Sequence, residues 1–413
     1  MIVKFKKNTP YIEGVNLSKL AKKIPTPFYV YSQKKIIDSY LNLYNILKKE
    51  IFYSVKANSN QAIIALLNSI GSGCDVVSKE ELIRSLKAGV PAKKIIFEGV
   101  GKSEEDIKFA IKKRIRQINV ESIQELETIN KISKSLKLIT SIGIRINPNI
   151  DSKTFKKIST GKKNDKFGID YNDIQKACKI IKTSKNISLK GISCHVGSQI
   201  FQIKVFEKLF TKMKKAANLV EKYDIYIENL DLGGGFGVPY TKTNNRLNII
   251  QVKKLVNRIF KNSTYKISFE PGRFIVAQAG IIITKIITTK QNSKINYIIA
   301  DAGMNTFLRP SMYNASHNII SFNKSHKKMK YTLAGPICES SDIIKKNIKL
   351  PKQEVGNYLA ICDTGAYGAV MASNYNSKCL PAEVLINKNK FVIIRNSQNI
   401  NSLLKLDKIP KWI

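Results

Sequence analysis

The 413-residue chain is long enough for two domains, and 43% of its residues are apolar, which is sufficient for sizeable buried cores. No uninterrupted apolar run approaches the length that crosses a bilayer, and the basic first ten residues contain no signal-peptide core. We therefore expect a soluble cytoplasmic protein with no membrane partner.

The formal net charge of +40 raises the hypothesis of a nucleic-acid-binding protein. Only nine of the basic residues are Arg, the side chain that most often reads bases and phosphates. The lysines are spread through every segment, and Ile and Asn are abundant too, a combination typical of an AT-rich coding sequence. The composition thus favours no nucleic-acid partner, although a weak attraction for anionic substrates stays open.

Cysteine and histidine are sparse. The six cysteines form no CxxC pair, and the three histidines are far apart, so we expect no structural zinc site. A long chain with few thiols fits a reducing compartment.

Short apolar runs rich in β-branched and aromatic residues alternate with Lys-rich stretches of helical periodicity. Eight such runs are IFYSVKAN (51–58), GCDVVS (73–78), KIIFEG (94–99), QINVES (117–122), IGIRINP (142–148), GISCHVGS (191–198), LDLGGGFG (230–237) and ISFEPGR (267–273). A plausible helix follows each run, as in KEELIRSLKAG at 79–89. The pattern predicts an α/β fold with a (β/α)8 TIM-like barrel, and the alternative is an open doubly wound sheet.

The pattern changes after Arg273 to strands with few helices between them, such as GIIITKIITTK and AEVLINKNKFVIIRN. Asn387-Lys388-Asn389-Lys390 is typical of a hairpin turn. We expect a barrel domain over residues 28–276 and a mainly β domain over residues 277–413, on which residues 1–27 pack. The stretch Tyr29-Val30-Tyr31 is expected to join the β domain as well.

Residues capable of chemistry lie near the C-terminal ends of the predicted barrel strands, the face that carries the active site of such barrels. They are Lys56, Asp75, Arg145, His195, Ser198, Gly233, Gly234, Gly235, Gly237, Glu270 and Arg273. A lysine that ends an apolar strand is partly desolvated, which makes it a better amine nucleophile, although a surface lysine is the alternative. Adjacent glycines let backbone N–H groups approach a phosphate, and the Ser198 hydroxyl can add a further contact.

Two further barrel residues suit a flat heteroaromatic ligand. Glu270 can hold a pyridine nitrogen protonated, or it can simply pair with Arg273. His195 can stack on a ring or move protons, and a structural histidine is the alternative.

The predicted β domain carries a second group of candidates. The thiol of Cys338 beside the carboxylate of Glu339 can donate a proton and bind an amine, and Arg309 can bind a carboxylate with two hydrogen bonds. Tyr313 and Tyr367 lie in RPSMY and DTGAYG, which taken alone are ordinary turn sequences.

Taken together, these motifs resemble the fold-type III pyridoxal-phosphate decarboxylases, which share an alanine racemase-like fold. Within them the chain is most similar to the diaminopimelate decarboxylase family. The matching motifs, in the family's order, are YSVKANSN, GCDVVSKEEL, RINP, HVGSQIF, LDLGGGFGVPY, EPGRFIVAQAG, RPSMY, GPICESSD and CDTGAYGAVMASNYN. They cover residues 26 to 385 approximately, and none of them is broken.

The resemblance implies pyridoxal 5'-phosphate as cofactor, with Lys56 bound to it covalently. It implies that His195 stacks on the pyridine ring and Glu270 pairs with its nitrogen. Implied cofactor contacts are Asp75, Arg145, Ser198, Gly234, Gly235, Gly272, Arg273 and Tyr367, and implied substrate ligands are Arg273, Arg309, Tyr313, Glu339 and Tyr367. Cys338 is the implied proton donor, acting in a homodimer in which the Cys-Glu segment reaches the other subunit's barrel.

The implied reaction is decarboxylation of meso-diaminopimelate to L-lysine. Glu339 directly after Cys338 favours this substrate over ornithine, because the eukaryotic ornithine enzymes typically have an Asp there. Decarboxylation of ornithine, arginine or carboxynorspermidine is the related alternative. A catalytically silent pyridoxal-phosphate-binding protein is the alternative from another class, and a nucleic-acid-binding protein is the third.

Overall fold

The computed structural model describes residues 2–152, 160–240, 246–323 and 327–413. The chain forms two compact units. The β unit comprises Met1–Ile36, Tyr240–Asn244 and Ile275–Ile413, and the barrel unit comprises Ile37–Pro239 and Asn245–Phe274. Across the described ranges, no helix combines the length and the apolar character needed to span a membrane.

Eight parallel strands of the barrel unit form a closed barrel. In chain order they are Glu50–Ser54, Gly73–Val76, Ile95–Phe97, Gln117–Val120, Thr140–Asn147, Ile187–Ser193, Asn229–Asp231 and Lys266–Phe269. The eighth strand pairs with the first and the fourth with the fifth, which closes the ring, and a two-residue strand, Ile169–Asp170, adds to the fifth. The predicted barrel is therefore confirmed, and each of the eight apolar runs overlaps one of its strands.

The barrel strands are buried along almost their whole length. Strands of a closed parallel sheet have side chains on one face in the barrel interior and helices over the other, so a continuous apolar run is needed rather than an alternating one. The strands end earlier than the sequence runs do. Lys56, His195 and Glu270 therefore lie in the turns just beyond the first, sixth and eighth strands rather than in them.

A helix follows each of the first seven barrel strands. These helices are Gln61–Ser69, Lys79–Lys87, Glu104–Lys113, Ile123–Ser135, Ile174–Thr183, Ile203–Glu221 and Ile249–Ile259, and Gln33–Leu47 precedes the first strand. Five of them begin at a Ser or Asn whose side chain accepts a hydrogen bond from a first-turn amide, namely Asn60, Ser78, Ser103, Ser122 and Asn248. Each such cap stabilises its helix by about 1 kcal/mol and sets where the helix begins.

The β unit is built mainly from strands, as predicted. Val3–Lys6, Thr9–Ile12 and Val15–Asn16 form a small sheet, and the large sheet contains Phe28–Ser32, Gly280–Asn292, Ile295–Ala300, Ile319–Ser321, Lys328–Ala334, Ile343–Pro351, Tyr358–Cys362, Ala382–Asn387 and Lys390–Arg395. Its described helices are short: Leu17–Lys23, Arg309–Tyr313 and Ile400–Leu404, with Arg273–Val276 running into it.

The N-terminal strand of the large sheet carries the stretch expected to join the β domain. Phe28–Ser32 pairs antiparallel with Gly280–Asn292 and parallel with Ala382–Asn387. Phe28 and Val30 contribute to an apolar core with neighbouring strands. The predicted hairpin is present, since Asn387 pairs with Lys390. The proposed domain boundaries at residues 28 and 276 stay predictions.

Candidate active site

Lys56 lies in the single turn Val55–Ala57, directly after the first barrel strand. Its Nζ is 2.8 Å from Oδ2 of Asp75, which lies in the second strand with no exposed side-chain surface, whereas the Lys56 side chain is 35% exposed. The hydroxyl of Ser54 is 2.7 Å from the same carboxylate oxygen. The carboxylate holds the amine at the mouth of the barrel, where a ligand can still reach it.

A buried ionic network lies behind this pair. Arg145, in the fifth strand, donates from Nη1 to Glu121 at 2.6 Å and to Glu98 at 3.3 Å. Glu98 also accepts hydrogen bonds from Asn119 and Ser193. Burial alone would lower the pKa of Arg145, but the two carboxylates raise it, so the guanidinium is permanently charged.

His195 follows the sixth strand and is held by the glycine loop. Its Nδ1 accepts a hydrogen bond from the amide of Gly234 at 3.2 Å, which places the ring proton on Nε2. Desolvation, then the charges of Lys56 and Arg145, hold the pKa of His195 well below its ordinary value. The ring is therefore neutral and flat-sided at physiological pH.

The loop Gly233–Gly237 requires glycine for two reasons. Gly233 and Gly235 have φ values of 67° and 80°, in the left-handed region that disfavours other residues. A side chain at Gly233 would collide with the carbonyl of Cys194, and one at Gly235 with the carbonyl of Gly197. Glycine consequently leaves the backbone of this loop without side chains in front of it.

Two acidic side chains lie at the ends of the seventh and eighth strands: Asp231 ends the seventh strand, and Glu270 directly follows the eighth. Glu270 is 5% exposed, and burial followed by the charges of Asp231 and Asp75 raises its pKa well above the ordinary value. Among the described residues its Oε1 has no hydrogen-bond partner. Burial also raises the pKa of Asp231 to about 7, although its carboxylate accepts hydrogen bonds from Ser268 and the Gly233 amide.

Ser198 and Arg273 meet beside the glycine loop. Nε of Arg273 donates to the Ser198 hydroxyl at 3.0 Å. Just before Arg273, a Cβ on Gly272 would lie 2.9 Å from Cβ atoms of Ser54 and Ala57, so this backbone passes close to the turn that holds Lys56. The predicted barrel-unit residues thus form one connected cluster.

The predicted β-unit residues lie in one helix, in a turn that follows a strand and in a loop of that unit. Arg309 begins the helix Arg309–Tyr313 and is 5% exposed, and its guanidinium lies 4.6 Å above the ring of Tyr240. Tyr313 ends the helix and is half-buried. Tyr367, also half-buried, has a φ of 53° in the turn after the strand Tyr358–Cys362.

Cys338 and Glu339 are exposed. The loop that carries them is anchored by the buried carboxylate of Asp342, which accepts hydrogen bonds from the amides of Ile337 at 2.8 Å and Met304 at 2.6 Å. A cavity of about 460 Å³ lies next to this loop and is lined by Pro310, Ser311 and Ser341 among others.

Several residues of the barrel cluster were missed in the sequence. Glu98, Glu121 and Asp231 are single acidic residues at strand ends, in KIIFEG, QINVES and LDLGGG. An acidic residue that ends an apolar run was the available signal, but it does not distinguish a buried carboxylate from a surface one. His317, which contacts Arg309, carried no such signal at all.

Comparisons with known proteins agree with this geometry. Residues 33–277 match the family described as pyridoxal-dependent decarboxylase, pyridoxal binding domain. A diaminopimelate decarboxylase of Zymomonas mobilis is 34% identical, over 99% of each chain. The diaminopimelate decarboxylase structure from Methanocaldococcus jannaschii has a TM-score of 0.95 at 36% identity, covering 100% of this chain and 98% of its own.

The chain belongs to the diaminopimelate decarboxylase family. A structure of the Helicobacter pylori diaminopimelate decarboxylase complexed with L-lysine is also similar, with a TM-score of 0.91, 38% identity and coverage of 95% of this chain and 99% of its own. The resemblance, the barrel fold and the dependence on pyridoxal phosphate inferred from the motifs are confirmed.

The residues of this family member fit pyridoxal phosphate. A buried carboxylate oxygen of Glu270 without a described partner suits a ring N–H, and a glycine loop without side chains allows its backbone to approach phosphate oxygens closely. The amine of Lys56 suits a carbonyl carbon. The neutral ring of His195 presents a face on which a pyridine ring can stack.

Asp231→Asn is expected to flatten the pH dependence of stability of the cofactor-free decarboxylase. A buried carboxyl with a raised pKa stays protonated while the unfolded chain ionises. The free energy of unfolding therefore falls as the pH rises from the ordinary value of Asp to about 7. Between about pH 4 and about pH 8 the variant should lose roughly 4 kcal/mol less than wild type.

Urea unfolding of the cofactor-free protein, followed by circular dichroism at both pH values, measures this difference. The matched control is Asp224→Asn, which changes an aspartate whose side chain is 86% exposed in the same unit. The Asp224 variant should follow wild type. A wild-type pH dependence in the Asp231 variant would show that Asp231 is ionised in the folded protein.

Proposed function

We propose that this enzyme removes one carboxyl group from meso-diaminopimelate with pyridoxal phosphate, yielding L-lysine and CO2. The observation that carries the proposal is the pair of Lys56 and buried Asp75 at the barrel mouth, in the same cluster as Oε1 of Glu270, to which no described residue donates a hydrogen bond. Full-length similarity to proteins named diaminopimelate decarboxylase supports the choice of substrate.

The proposed cofactor site is drawn from the barrel cluster and one β-unit tyrosine. Lys56 provides the covalent attachment, His195 the stacking ring and Glu270 the partner of the pyridine nitrogen. The remaining contacts are Asp75, Arg145, Ser198, Gly234, Gly235, Gly272, Arg273 and Tyr367. When bound, pyridoxal phosphate supplies a protonated ring that withdraws electrons from the α-carbon of the substrate.

The buried charged residues determine what the protein contributes to the reaction beyond the cofactor. Asp75 accepts a hydrogen bond from Nζ of Lys56 and so fixes the position of the amine at the mouth of the barrel. Glu270 has a raised pKa, so it takes up a proton readily and can share it with a ring nitrogen. Arg145 forms ion pairs with Glu98 and Glu121, which reduces the negative charge behind the site.

The β-unit residues are proposed to select the substrate. Arg309, Tyr313 and Arg273 bind the carboxylate that is retained, because Arg matches a carboxylate with two parallel hydrogen bonds. Glu339 binds the distant amino group, and Cys338 donates the proton that replaces CO2 at the α-carbon. Tyr367 contributes to both ligands.

We propose a homodimer in which Cys338 and Glu339 of one subunit complete the site of the other. Both residues are exposed on a loop whose base is tied down by Asp342, which is the state expected of residues that act on another chain. We also propose a cytoplasmic location, which fits six cysteines that are all free of disulfides.

The deciding experiment is CO2 release from meso-diaminopimelate with added pyridoxal phosphate, run beside ornithine, arginine and carboxynorspermidine. Release from meso-diaminopimelate with L-lysine as product is expected. Release only from another substrate would retain the chemistry and overturn the substrate. Cofactor binding without release from any of the four would indicate the silent binding protein.

Mixing Lys56→Ala with Cys338→Ala is expected to restore activity that neither variant has alone. If the two residues act across a two-fold interface, each mixed dimer contains one complete site and one doubly altered site. Random exchange of subunits should then give about a quarter of wild-type CO2 release. Each variant incubated with itself is the control, and no recovery after verified subunit exchange would place both residues of a site in one chain.

A further inference from the structure

We propose that His317 is a positioning residue for Arg309, which fixes the orientation of the guanidinium that binds the retained carboxylate. The inference rests on the proposed function of Arg309 and adds a residue to that site. His317 is fully buried in the β unit and lies two residues before the strand Ile319–Ser321.

The hydrogen bonds of His317 define its tautomer. Nδ1 is 2.8 Å from the carbonyl oxygen of Cys362, which can only accept, so Nδ1 carries a proton. Nε2 is 3.0 Å from Nη1 of Arg309, which can only donate, so Nε2 is the acceptor. The two contacts together require a neutral ring with a single orientation.

Aromatic packing removes the remaining freedom of this ring. Tyr240 and Phe307 meet it edge to face, with centroids at 4.9 and 4.7 Å and interplanar angles of 60° and 79°. The Arg309 guanidinium lies over the same Tyr240 ring. The imidazole and the guanidinium therefore share one aromatic wall.

The backbone of His317 is held as firmly as its side chain. Nζ of Lys345 donates to its carbonyl oxygen at 2.6 Å, and the amide of Cys362 donates to the carbonyl of Asn318 at 2.9 Å. Two neighbouring strands thus anchor His317 on either side. A rotation of Arg309 away from His317 would leave buried polar atoms without these partners.

A neutral acceptor suits the task of Arg309. A carboxylate in this place would orient the guanidinium but also neutralise it, whereas an imidazole nitrogen fixes one Nη1 and leaves the positive charge available to an anionic ligand. Bidentate recognition depends on the orientation of the guanidinium plane. Holding that plane in advance lowers the entropy lost when the substrate binds.

His317→Phe in the holoenzyme tests this inference, because a phenyl ring keeps the packing and removes both nitrogen atoms. We expect the KM for meso-diaminopimelate and the inhibition constant of L-lysine, which retains the same carboxylate, to rise about 10-fold. The kcat should change by less than about three-fold, and the affinity for pyridoxal phosphate should stay at the wild-type value. His317→Gln, which offers an amide oxygen as acceptor, should lie closer to wild type.

Phe307→Leu is the matched control. It alters the other side of the same ring without removing a hydrogen bond, so it should lower the unfolding temperature and leave the KM and lysine inhibition unchanged. If His317→Phe does not fold, His317→Leu takes its place with the same expectation.

Unchanged lysine inhibition in a folded His317 variant, or a parallel loss of kcat, lysine binding and cofactor affinity, would overturn the positioning role. An equal effect of His317→Phe in an Arg309→Lys background would also overturn the positioning role. A residue that acts through Arg309 should have no further effect once Arg309 is replaced. Wild-type CO2 release is measured first and decides the proposed function separately. The variants decide only the inference about His317.

Discussion

Replacing Lys56 by alanine is expected to abolish CO2 release and covalent attachment of the cofactor together. Lys56 is the amine that lies at the barrel mouth against the buried carboxylate of Asp75. Without Lys56 the cofactor has no covalent attachment, and no amine is available to release the product. Loss of a positioned proton-transfer group alone lowers rates by about 10²- to 10⁴-fold, so the combined loss should exceed about 10³-fold.

Borohydride reduction of the holoenzyme, followed by peptide mass spectrometry, measures attachment independently of turnover. The adduct should map to the peptide containing Lys56 in wild type and be missing from the variant. Lys79→Ala is the control, because Lys79 begins the barrel helix Lys79–Lys87 and pairs with exposed Glu105. A Lys56→Ala enzyme that remains active would remove the assignment of Lys56.

Cys338→Ala is expected to lower turnover far more than it weakens cofactor binding. The proposed task of its thiol is to deliver a proton to the α-carbon, which is worth about 10²- to 10⁴-fold in rate. The proposed cofactor contacts include no atom of Cys338. The kcat should therefore fall by about 10²-fold or more, while the dissociation constant of pyridoxal phosphate stays within a few-fold of wild type.

Stopped assays of CO2 release and equilibrium titration of the apoenzyme with cofactor measure the two quantities. Cys379→Ala is the control, since Cys379 is a half-buried free thiol of the same unit and has no proposed role. Equal losses of turnover and cofactor affinity in Cys338→Ala would indicate that the cysteine supports the structure instead.

The barrel could be predicted because its signal is local and repeated. Each apolar run overlaps a strand that is buried on both faces, and each of the first seven strands is followed by a helix, five of which begin at a capping residue such as Ser78 or Ser122. The predicted positions of the strand ends were less accurate. Glycines with left-handed backbone at Gly233 and Gly235 end the pairing before the apolar run is over, and apolar content does not report that change.

The sequence alone could not show which carboxylates are buried and have raised pKa values. Glu81 and Glu98 have raised pKa values because folding buries them, whereas Glu228 keeps a lowered pKa beside Lys266 at the surface. All three are acidic residues near apolar runs or helix starts. Desolvation depends on how many strands and helices surround a group, and these come from distant parts of the chain.

The sequence by itself determined the alternation of strands and helices, the β-rich C-terminal part and the set of motifs that identifies the family. These properties are written in short segments, where residue type, spacing and turn chemistry are sufficient. Only the tertiary structure decided which oxygen of Glu270 lacks a described partner, that Asp231 has a pKa of about 7, and that His317 holds Arg309. Hydrogen bonding and desolvation depend on which residues are neighbours in three dimensions. Closure of the barrel brings together residues that lie far apart in the chain.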